Sequence, residues 1–184
     1  MKPSHPALRV VAPMGSEKAP FEPGRLDTVF RYHASYVAAV AFKLLGRDDE
    51  VDDVVQEVFL AATQGLRQLR EPEAIKGWLA TVTVRVARRH LRKRKFLSFF
   101  GASEKPAPAE LISSDASPHD RALLSRIFSV LEELPVQARI AWTLRHVEGE
   151  RLEAVARLCG CSLATAKRRI AAAHEVIERL LSDG

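Results

Sequence analysis

Residues 151–182 read RLEAVARLCGCSLATAKRRIAAAHEVIERLLS, and this stretch decides the fold of the C-terminal part of the chain. The apolar residues Leu152, Val155 and Ala156 have the spacing of one helix face. Gly160 predicts a turn that uses positive φ, which glycine adopts without steric cost. Ser162 favours the N-cap of a second, longer helix. The stretch is therefore predicted to form a helix-turn-helix.

The exposed start of the second helix carries a basic surface. In helix-turn-helix proteins this end enters the major groove, where basic side chains reach bases and phosphates. The alternative is a helical hairpin with a solvated basic face, but the pattern favours binding of duplex DNA. The candidate residues are Ser162, Ala164, Thr165, Lys167, Arg168 and Arg169.

The rest of the ordered sequence shows the same helical spacing of apolar residues. It predicts a helix from Leu26 to Leu45 that stops at Gly46, a second from Val51 to about residues 65–69, and a third that begins near Pro72. Val82, Val84 and Val86 alternate, as in a strand, but their flanks contain no turn residues and favour a helix. Further helices are predicted at 123–134, which ends near Pro135, and at 140–147. The predicted fold class is all-α.

Two segments of different composition divide the chain. Residues 1–24 contain five of the 10 prolines and no apolar period, which predicts a disordered tail. Residues 101–118 are rich in Gly, Pro and Ser, which predicts a flexible linker. The chain is thus predicted to hold two small helical domains, at 25–100 and 119–184.

Positive charge is concentrated in the third predicted helix. The chain has a net charge of +5, and seven Lys or Arg lie among the eleven residues from Arg85 to Lys95. A basic stripe that follows an aromatic residue suits single-stranded nucleic acid, which needs a charged track and a stacking face. The aromatic residues 96–100 leave a membrane surface as the alternative. The candidate residues are Trp78, Thr81, Arg85, Arg88, Arg89, Arg92, Lys93 and Arg94.

Negative charge is concentrated in the second predicted helix. Six acids lie among the ten residues from Asp48 to Glu57. Metal ligation is poorly supported, because carboxylates four residues apart without His or Cys are usually solvated. A docking surface for a basic protein partner is favoured. Its candidate residues are Asp49, Asp53, Gln56, Glu57 and Phe59.

Several function classes have no support in the sequence. The 184 residues contain no phosphate loop, no paired metal-ligating histidines and no nucleophile elbow, so we expect neither an enzyme nor a bound cofactor or metal. No run of 18 apolar residues and no signal peptide occur, which predicts a cytoplasmic protein without membrane insertion. Cys159 and Cys161 are too close for an unstrained disulfide. Packing in the turn is the favoured role for them, and redox sensing is the alternative.

In order, these segments resemble the extracytoplasmic-function (ECF) group of bacterial RNA polymerase sigma factors. Asp53-Val-Val-Gln-Glu-Val-Phe-Leu60 is similar to the helix that docks on the polymerase β′ subunit. Trp78-Leu-Ala-Thr-Val82 and the basic run resemble the helix that melts and reads the minus-ten element. The segments from Glu133 to Arg169 resemble the minus-thirty-five-binding domain. The chain departs from the family pattern at Arg85 and Arg89, where Asn and Asp are usual, and at Arg168, where Ser is common.

The resemblance implies a sigma factor that directs core polymerase, through its β′ and β subunits, to specific promoters and assists DNA melting. It also implies an inhibitory protein partner, an anti-sigma factor, and suggests that any built-in regulator lies in the tail or the linker. The alternative is a stand-alone helix-turn-helix regulator whose first domain is an oligomerisation or ligand module. Such a regulator usually binds paired half-sites as a dimer without polymerase.

Overall fold

The computed structural model describes residues 26–66, 69, 71–100 and 118–182, and within these ranges the fold is entirely helical. The predicted tail and nearly all of the predicted linker lie outside the described residues. The helix predicted over the alternating valines is confirmed. The seven α-helices are α1 Leu26–Leu45, α2 Val51–Gly65, α3 Ile75–Phe99, α4 Pro118–Glu133, α5 Val136–His146, α6 Leu152–Cys159 and α7 Leu163–Ser182, with one 3-10 turn at Pro72–Ala74.

Helices α1, α2 and α3 form the N-terminal unit, in which each helix packs against the other two. Their apolar faces meet at residues such as Val37, Val58 and Leu79, which are fully buried. Helix α1 ends where predicted, because Gly46 adopts φ +67° and turns the chain away from the helix axis. The long helix α3 therefore has one face in the core and another that carries the basic run.

Helices α4 to α7 form the C-terminal unit, which contains the predicted helix-turn-helix. Helix α7 packs on α4, α5 and α6. Gly160 has φ +63° and ψ +46°, as the predicted turn requires. The Ser162 Oγ accepts a hydrogen bond of 3.2 Å from the Thr165 backbone N–H, which confirms the predicted N-cap.

The two units pack against each other, and one hydrophobic cluster runs through both. Helix α3 contacts α5 and α6, and α1 contacts α5. The absence of a side chain at Gly46 is needed here, because a Cβ would lie 2.8 Å from Cδ1 of Phe128 and 2.9 Å from Nη2 of Arg139. The sequence predicted two domains on a flexible linker and gave no sign of this contact.

No described helix is both long and apolar enough to cross a membrane.

Candidate nucleic-acid interface

The basic run of α3 is divided between solvent and the protein interior. The side chains of Arg85, Arg89, Arg92 and Lys93 are exposed. Helix periodicity turns Arg88 and Arg94 toward the C-terminal unit, and the Arg94 side chain is only 13% exposed. The structure therefore leaves four of the predicted nucleic-acid cations on the solvent side of the helix.

An open groove of about 540 Å³ lies at the N-terminal part of this basic face. The indole of Trp78 forms part of its wall, and Arg85 lies at its edge. Thr81 follows one turn after Gly77 and donates its hydroxyl to the Gly77 carbonyl at 2.9 Å. An aromatic ring with a cation beside it is suited to hold an unstacked base. The groove is lined by Ala61, Gln64, Gly65, Leu69, Trp78, Val82 and Arg85.

The contribution of α2 to this groove could not be read from the sequence. Gly65 ends α2 and lies against the Trp78 ring, where a Cβ would lie 2.8 Å from Cη2. Gln64 and Ala61 are exposed on the same side of the helix. The only sequence signal was a glycine at a helix end, and glycine is common at helix ends whether or not a ring packs on it.

The start of α7 presents the predicted duplex-binding residues at the surface. Lys167 and Arg168 are exposed, and Arg169 is half-buried. Ser162 and Thr165 are joined by a hydroxyl–hydroxyl hydrogen bond of 2.9 Å, in addition to the N-cap contact. Ala164 is exposed between them. These residues form a continuous surface with two exposed cations at one helix end.

The predicted acidic docking surface contains residues in three different environments. Asp53 and Gln56 are exposed on α2. Asp49 is bonded to Arg47, which holds the pKa of that carboxyl below its ordinary value. Phe59 is only 5% exposed and packs edge-on against Phe30, with 4.8 Å between ring centroids. Phe59 therefore lies in the core, where it stabilises the packing of α2 on α1.

Glu57 is bonded within the chain rather than free at the surface. Its Oε1 lies 3.1 Å from Nε2 of His90, and its Oε2 is ion-paired with Arg89. The other ring nitrogen of His90 lies 3.0 Å from Oε2 of Glu50. These contacts fasten α2 to α3. They also give Glu57 a structural role that its position in the acidic segment did not suggest.

Leu60 is an exposed apolar residue of α2 that closes the motif similar to the docking helix but was not among the predicted docking residues. Its side chain is 73% exposed and lies one helical turn after Gln56. The exposed side chain of Leu60 adds apolar surface beside the carboxylate of Asp53 and the amide of Gln56. Asp53, Gln56 and Leu60 are three and four residues apart, which places them on one helix face. Only the burial of each side chain in the structure shows that this face is exposed while Phe59 is in the core.

The cysteines near the helix-turn-helix are reduced, and Cys159 is buried. Burial raises the pKa of the Cys159 thiol to about 11, so this thiol stays protonated at neutral pH. A packing role is therefore favoured for Cys159. Among the residues that the structure describes, no group of three or more His, Cys, Asp or Glu side chains is arranged to hold a metal ion.

Two family models match the chain, and both describe sigma-70 proteins. Sigma-70 region 2 matches residues 29–96, which include α2, the groove and the basic run. Sigma-70 region 4 matches residues 124–174, which include α6, the turn and the first part of α7. The two regions occur in the order that the resemblance implied.

Similar curated proteins are also sigma factors. The chain is 28% identical over 167 residues to the ECF RNA polymerase sigma-E factor of Haemophilus influenzae, and the match covers 82% of this chain and 83% of that one. It is 30% identical to a probable sigma factor, RfaY, of Xanthomonas campestris, covering 79% of this chain. It is 27% identical to the ECF sigma factor SigE of Mycolicibacterium smegmatis, covering 78%. The chain spans only 37% of RfaY and 56% of SigE.

Two solved structures share the fold. The Bartonella quintana sigma factor RpoE, solved with the anti-sigma factor NepR, matches with a TM-score of 0.62 and 24% identity, over 85% of this chain and 96% of that one. CnrH, solved with the cytosolic domain of CnrY, matches with a TM-score of 0.58 and 23% identity, over 86% of this chain and 88% of that one. These findings do not favour a stand-alone regulator. The ordered sigma-70 regions and the sigma-factor relatives show that the chain belongs to the ECF sigma factors.

Proposed function

We propose that this chain directs RNA polymerase core enzyme to specific promoters and assists DNA melting there, as a DNA-binding subunit and not as an enzyme. The observation that carries the proposal is the groove beside Trp78, which combines an aromatic wall with the exposed cation Arg85. A flipped, unstacked base would be held in this groove, so that the cost of opening the duplex is offset by stacking and phosphate contacts.

The minus-ten element would be bound by α3. Arg85, Arg92 and Lys93 are exposed and can neutralise phosphates of the non-template strand, and Arg89 can do so when it leaves its ion pair with Glu57. The charges at Arg85 and Arg89, where the family usually has Asn and Asp, strengthen the phosphate attraction and imply an altered base preference. Thr81 would support the path of the strand from the Trp78 groove.

The minus-thirty-five element would be bound by the start of α7. Lys167 and Arg168 would reach base edges or phosphates of the major groove, and Arg169 would contact the backbone. The domain limits proposed from the sequence, 25–100 and 119–184, would assign one promoter element to each domain. The linker would then raise the effective concentration of the second contact once the first has formed.

Core polymerase would be bound by the exposed face of α2 formed by Asp53, Gln56 and Leu60, through the β′ subunit. Glu57 and Asp49 would support this face through their bonds to neighbouring residues. An anti-sigma factor is a further proposed partner, since RpoE, which has the same fold, was solved with the anti-sigma factor NepR. Such a subunit would work in the cytoplasm, where core polymerase and promoters are found.

The first experiment tests polymerase binding with the full chain. We expect Asp53→Arg to abolish retention of core polymerase in a pull-down, because it reverses the charge of an exposed docking residue. Glu175→Arg is the matched control, since Glu175 is also exposed but lies on α7. Equal retention of core enzyme by both variants would argue against the docking face.

The second experiment tests promoter opening with reconstituted holoenzyme on a supercoiled genomic library. We expect specific transcripts, and permanganate-reactive thymines near minus ten at the promoters they identify. Arg85→Ala should reduce this reactivity, while Arg31→Ala, an exposed cation on α1, should not. A holoenzyme that initiates at no promoter would overturn the proposal.

A further inference from the structure

The C-terminal end of α3 carries three exposed aromatic side chains that touch each other. Phe96, Phe99 and Phe100 are 64%, 85% and 66% exposed. The ring centroid of Phe100 lies 4.8 Å from that of Phe96 and 5.6 Å from that of Phe99, so the three rings form one surface, the phenyl cluster. A single exposed apolar residue is ordinary, whereas a contiguous exposed patch is a candidate binding surface.

The phenyl cluster lies on the same face of α3 as the Trp78 groove. Trp78, Arg85, Arg92 and Phe99 follow each other at intervals of seven residues. Seven residues make nearly two turns of an α-helix at ~3.6 residues per turn, so these four side chains form a line along the helix. The opposite face of α3 is buried in the core. The exposed face therefore has an aromatic residue at each end and cations in between.

The charge of this face suits a polyanion. Arg85, Arg92 and Lys93 are exposed, and Arg89 is exposed while it is ion-paired with Glu57. The 25 residues of α3 include no Asp or Glu. Single-stranded nucleic acid has phosphates that such cations attract and flat bases that stack on aromatic rings. The face is therefore complementary in both respects to a single strand.

The length of the face fits a short single strand. Trp78 and Phe99 are 21 residues apart in α3, which is about 32 Å at a rise of ~1.5 Å per residue. Nucleotides of one strand are ~3.4 Å apart when stacked as in B-form DNA and about twice as far apart when extended, so about 5–9 nucleotides would span the face. Single-strand-binding folds cover about 4–16 nucleotides.

The position of the cations favours nucleic acid over a membrane surface. A helix that lies on a membrane has aromatic and aliphatic side chains on one face and Lys or Arg on the other. In α3 the cation Arg92 and the ring of Phe99 share one face, and the other face is occupied by the core. Immersing the phenyl cluster in lipid would therefore bring the basic run with it.

We propose that the phenyl cluster is a second base-stacking site, and that the exposed face of α3 from Trp78 to Phe100 binds one continuous segment of single-stranded DNA. This inference rests on the proposed function and extends it, because it adds a second point at which the melted strand is held. A base stacked on the phenyl cluster keeps the strand close to the cations. The contact at Trp78 then forms at a higher effective concentration.

The first test measures how the full chain binds a fluorescein-labelled twelve-nucleotide oligothymidylate, by fluorescence anisotropy at low salt. Phe96→Ala, Phe99→Ala and Phe100→Ala in combination should weaken binding by at least about fivefold, because alanine removes the stacking contacts. Tyr32→Ala is the matched control, since Tyr32 is an exposed aromatic residue on α1. It should leave the affinity unchanged. Equal affinities of the triple variant and the control would overturn the proposal.

A second pair of variants distinguishes base stacking from general apolar contact. Phe99→Tyr with Phe100→Tyr keeps two flat rings, and this variant should bind the oligothymidylate within about twofold of the unchanged chain. Phe99→Leu with Phe100→Leu keeps apolar side chains without a ring face, and it should bind at least about threefold more weakly. The proposal is wrong if the leucine variant binds as well as the tyrosine variant.

Membrane binding is measured with the same proteins. Vesicles of phosphatidylglycerol and phosphatidylcholine in a one-to-three ratio are sedimented with the unchanged chain and with the triple alanine variant. We expect equal fractions of the two proteins in the pellet. If the alanine variant lost vesicle binding and kept its affinity for the oligothymidylate, the phenyl cluster would be a membrane contact, and the stacking proposal would be overturned.

These readouts separate the stacking site from the proposed function. The oligothymidylate titration needs neither polymerase nor a promoter, so ring-dependent binding would support the site even if the holoenzyme initiated at no promoter. Conversely, specific transcription together with an oligothymidylate affinity that does not depend on the rings would support the sigma-factor function and overturn the site. Circular dichroism of each variant verifies that its helices are formed.

Discussion

The indole of Trp78 lies against the backbone of Gly65, so closely that a Cβ on Gly65 would lie 2.8 Å from Cη2 and nearer still to Cζ2. This contact joins the end of α2 to the start of α3 and forms the wall of the proposed base-binding groove. At Gly65, the proposed polymerase-docking helix α2 therefore contacts the proposed melting helix α3.

Gly65→Ala should displace the Trp78 ring. Alanine is normally the better helix former, but here the added methyl group overlaps a rigid ring. We expect a net loss of about 1–2 kcal/mol in the free energy of unfolding, measured by urea denaturation, and weaker promoter melting. Gly77→Ala is the control, because no atom lies within 4 Å of a Cβ there. That variant should be more stable by about 0.5–1 kcal/mol, and a similar gain for Gly65→Ala would show that the ring contact is not tight.

Glu57→Gln should destabilise the fold, while Asp53→Asn should not. Glu57 bonds to His90 and Arg89, whereas Asp53 is exposed on the outer face of α2. We expect a loss of about 1 kcal/mol in the free energy of unfolding for Glu57→Gln. Asp53→Asn should keep its thermal midpoint and lose affinity for core polymerase. If Glu57→Gln left the free energy of unfolding unchanged and weakened binding to core polymerase, Glu57 would belong to the docking surface.

Cys159 should make stability fall in alkaline solution. Burial raises the pKa of its thiol from 9.0 to about 11, so the folded state retains a proton that the unfolded state has released. The free energy of unfolding should therefore decrease as the pH rises from about 9 toward 11. Burial also raises the pKa of Tyr36 above its ordinary 10.0, so the comparison with Cys159→Ala is made between pH 9 and 10. An identical slope in that variant would remove Cys159 as the cause.

The same burial should make the two cysteines differ in reactivity. Cys159 is 4% exposed, while Cys161 is half-buried. Iodoacetamide at pH 8 should modify the folded chain once, at Cys161, as mapped by mass spectrometry. Rapid modification of Cys159 in the folded chain would contradict its packing role and favour redox sensing.

His146 should make stability fall in acid. Its ring is stacked between Trp142 and His174, with 5.0 and 5.3 Å between centroids. Burial lowers its pKa, and the charges of His174 and Arg145 lower it further. The unfolded state therefore binds the proton more readily, and the free energy of unfolding should decrease as the pH falls below about 6.5. His174→Gln should raise the pKa of His146 in an NMR titration. An unchanged value would show that the two rings are not coupled.

The sequence alone was sufficient for the presence of the helices, but α4 begins at Pro118 and α5 at Val136, before the predicted starts at residues 123 and 140. Apolar residues at spacings of three and four predicted every helix, and Gly46 and Gly160 marked turns because both need positive φ. These are local properties, decided by residues within one or two turns of each other. The all-helical class and the helix-turn-helix were predictable for that reason.

The sequence also predicted the two charged candidate surfaces from the positions of the basic run and the acidic run. A helix rich in Arg stays basic, and one rich in Asp and Glu stays acidic, wherever it packs. Periodicity could not tell which of their residues reach solvent. Phe59 and Leu60 are neighbours in the sequence, yet one is 5% and the other 73% exposed. Glu57 belongs to the acidic run, but its partners are on another helix.

The sequence by itself determined the helices, the turn and the sign of the charge on each candidate surface. All three follow from side chains and their near neighbours in the sequence. Only the tertiary structure decided which cations are free and which are bonded across the two units. Arg88 donates a hydrogen bond to a carbonyl 71 residues away in the sequence. Arg139 donates to two carbonyls that are 94 and 95 residues away. Backbone carbonyls are present at every position, so no sequence pattern marks the ones that folding brings to a buried guanidinium.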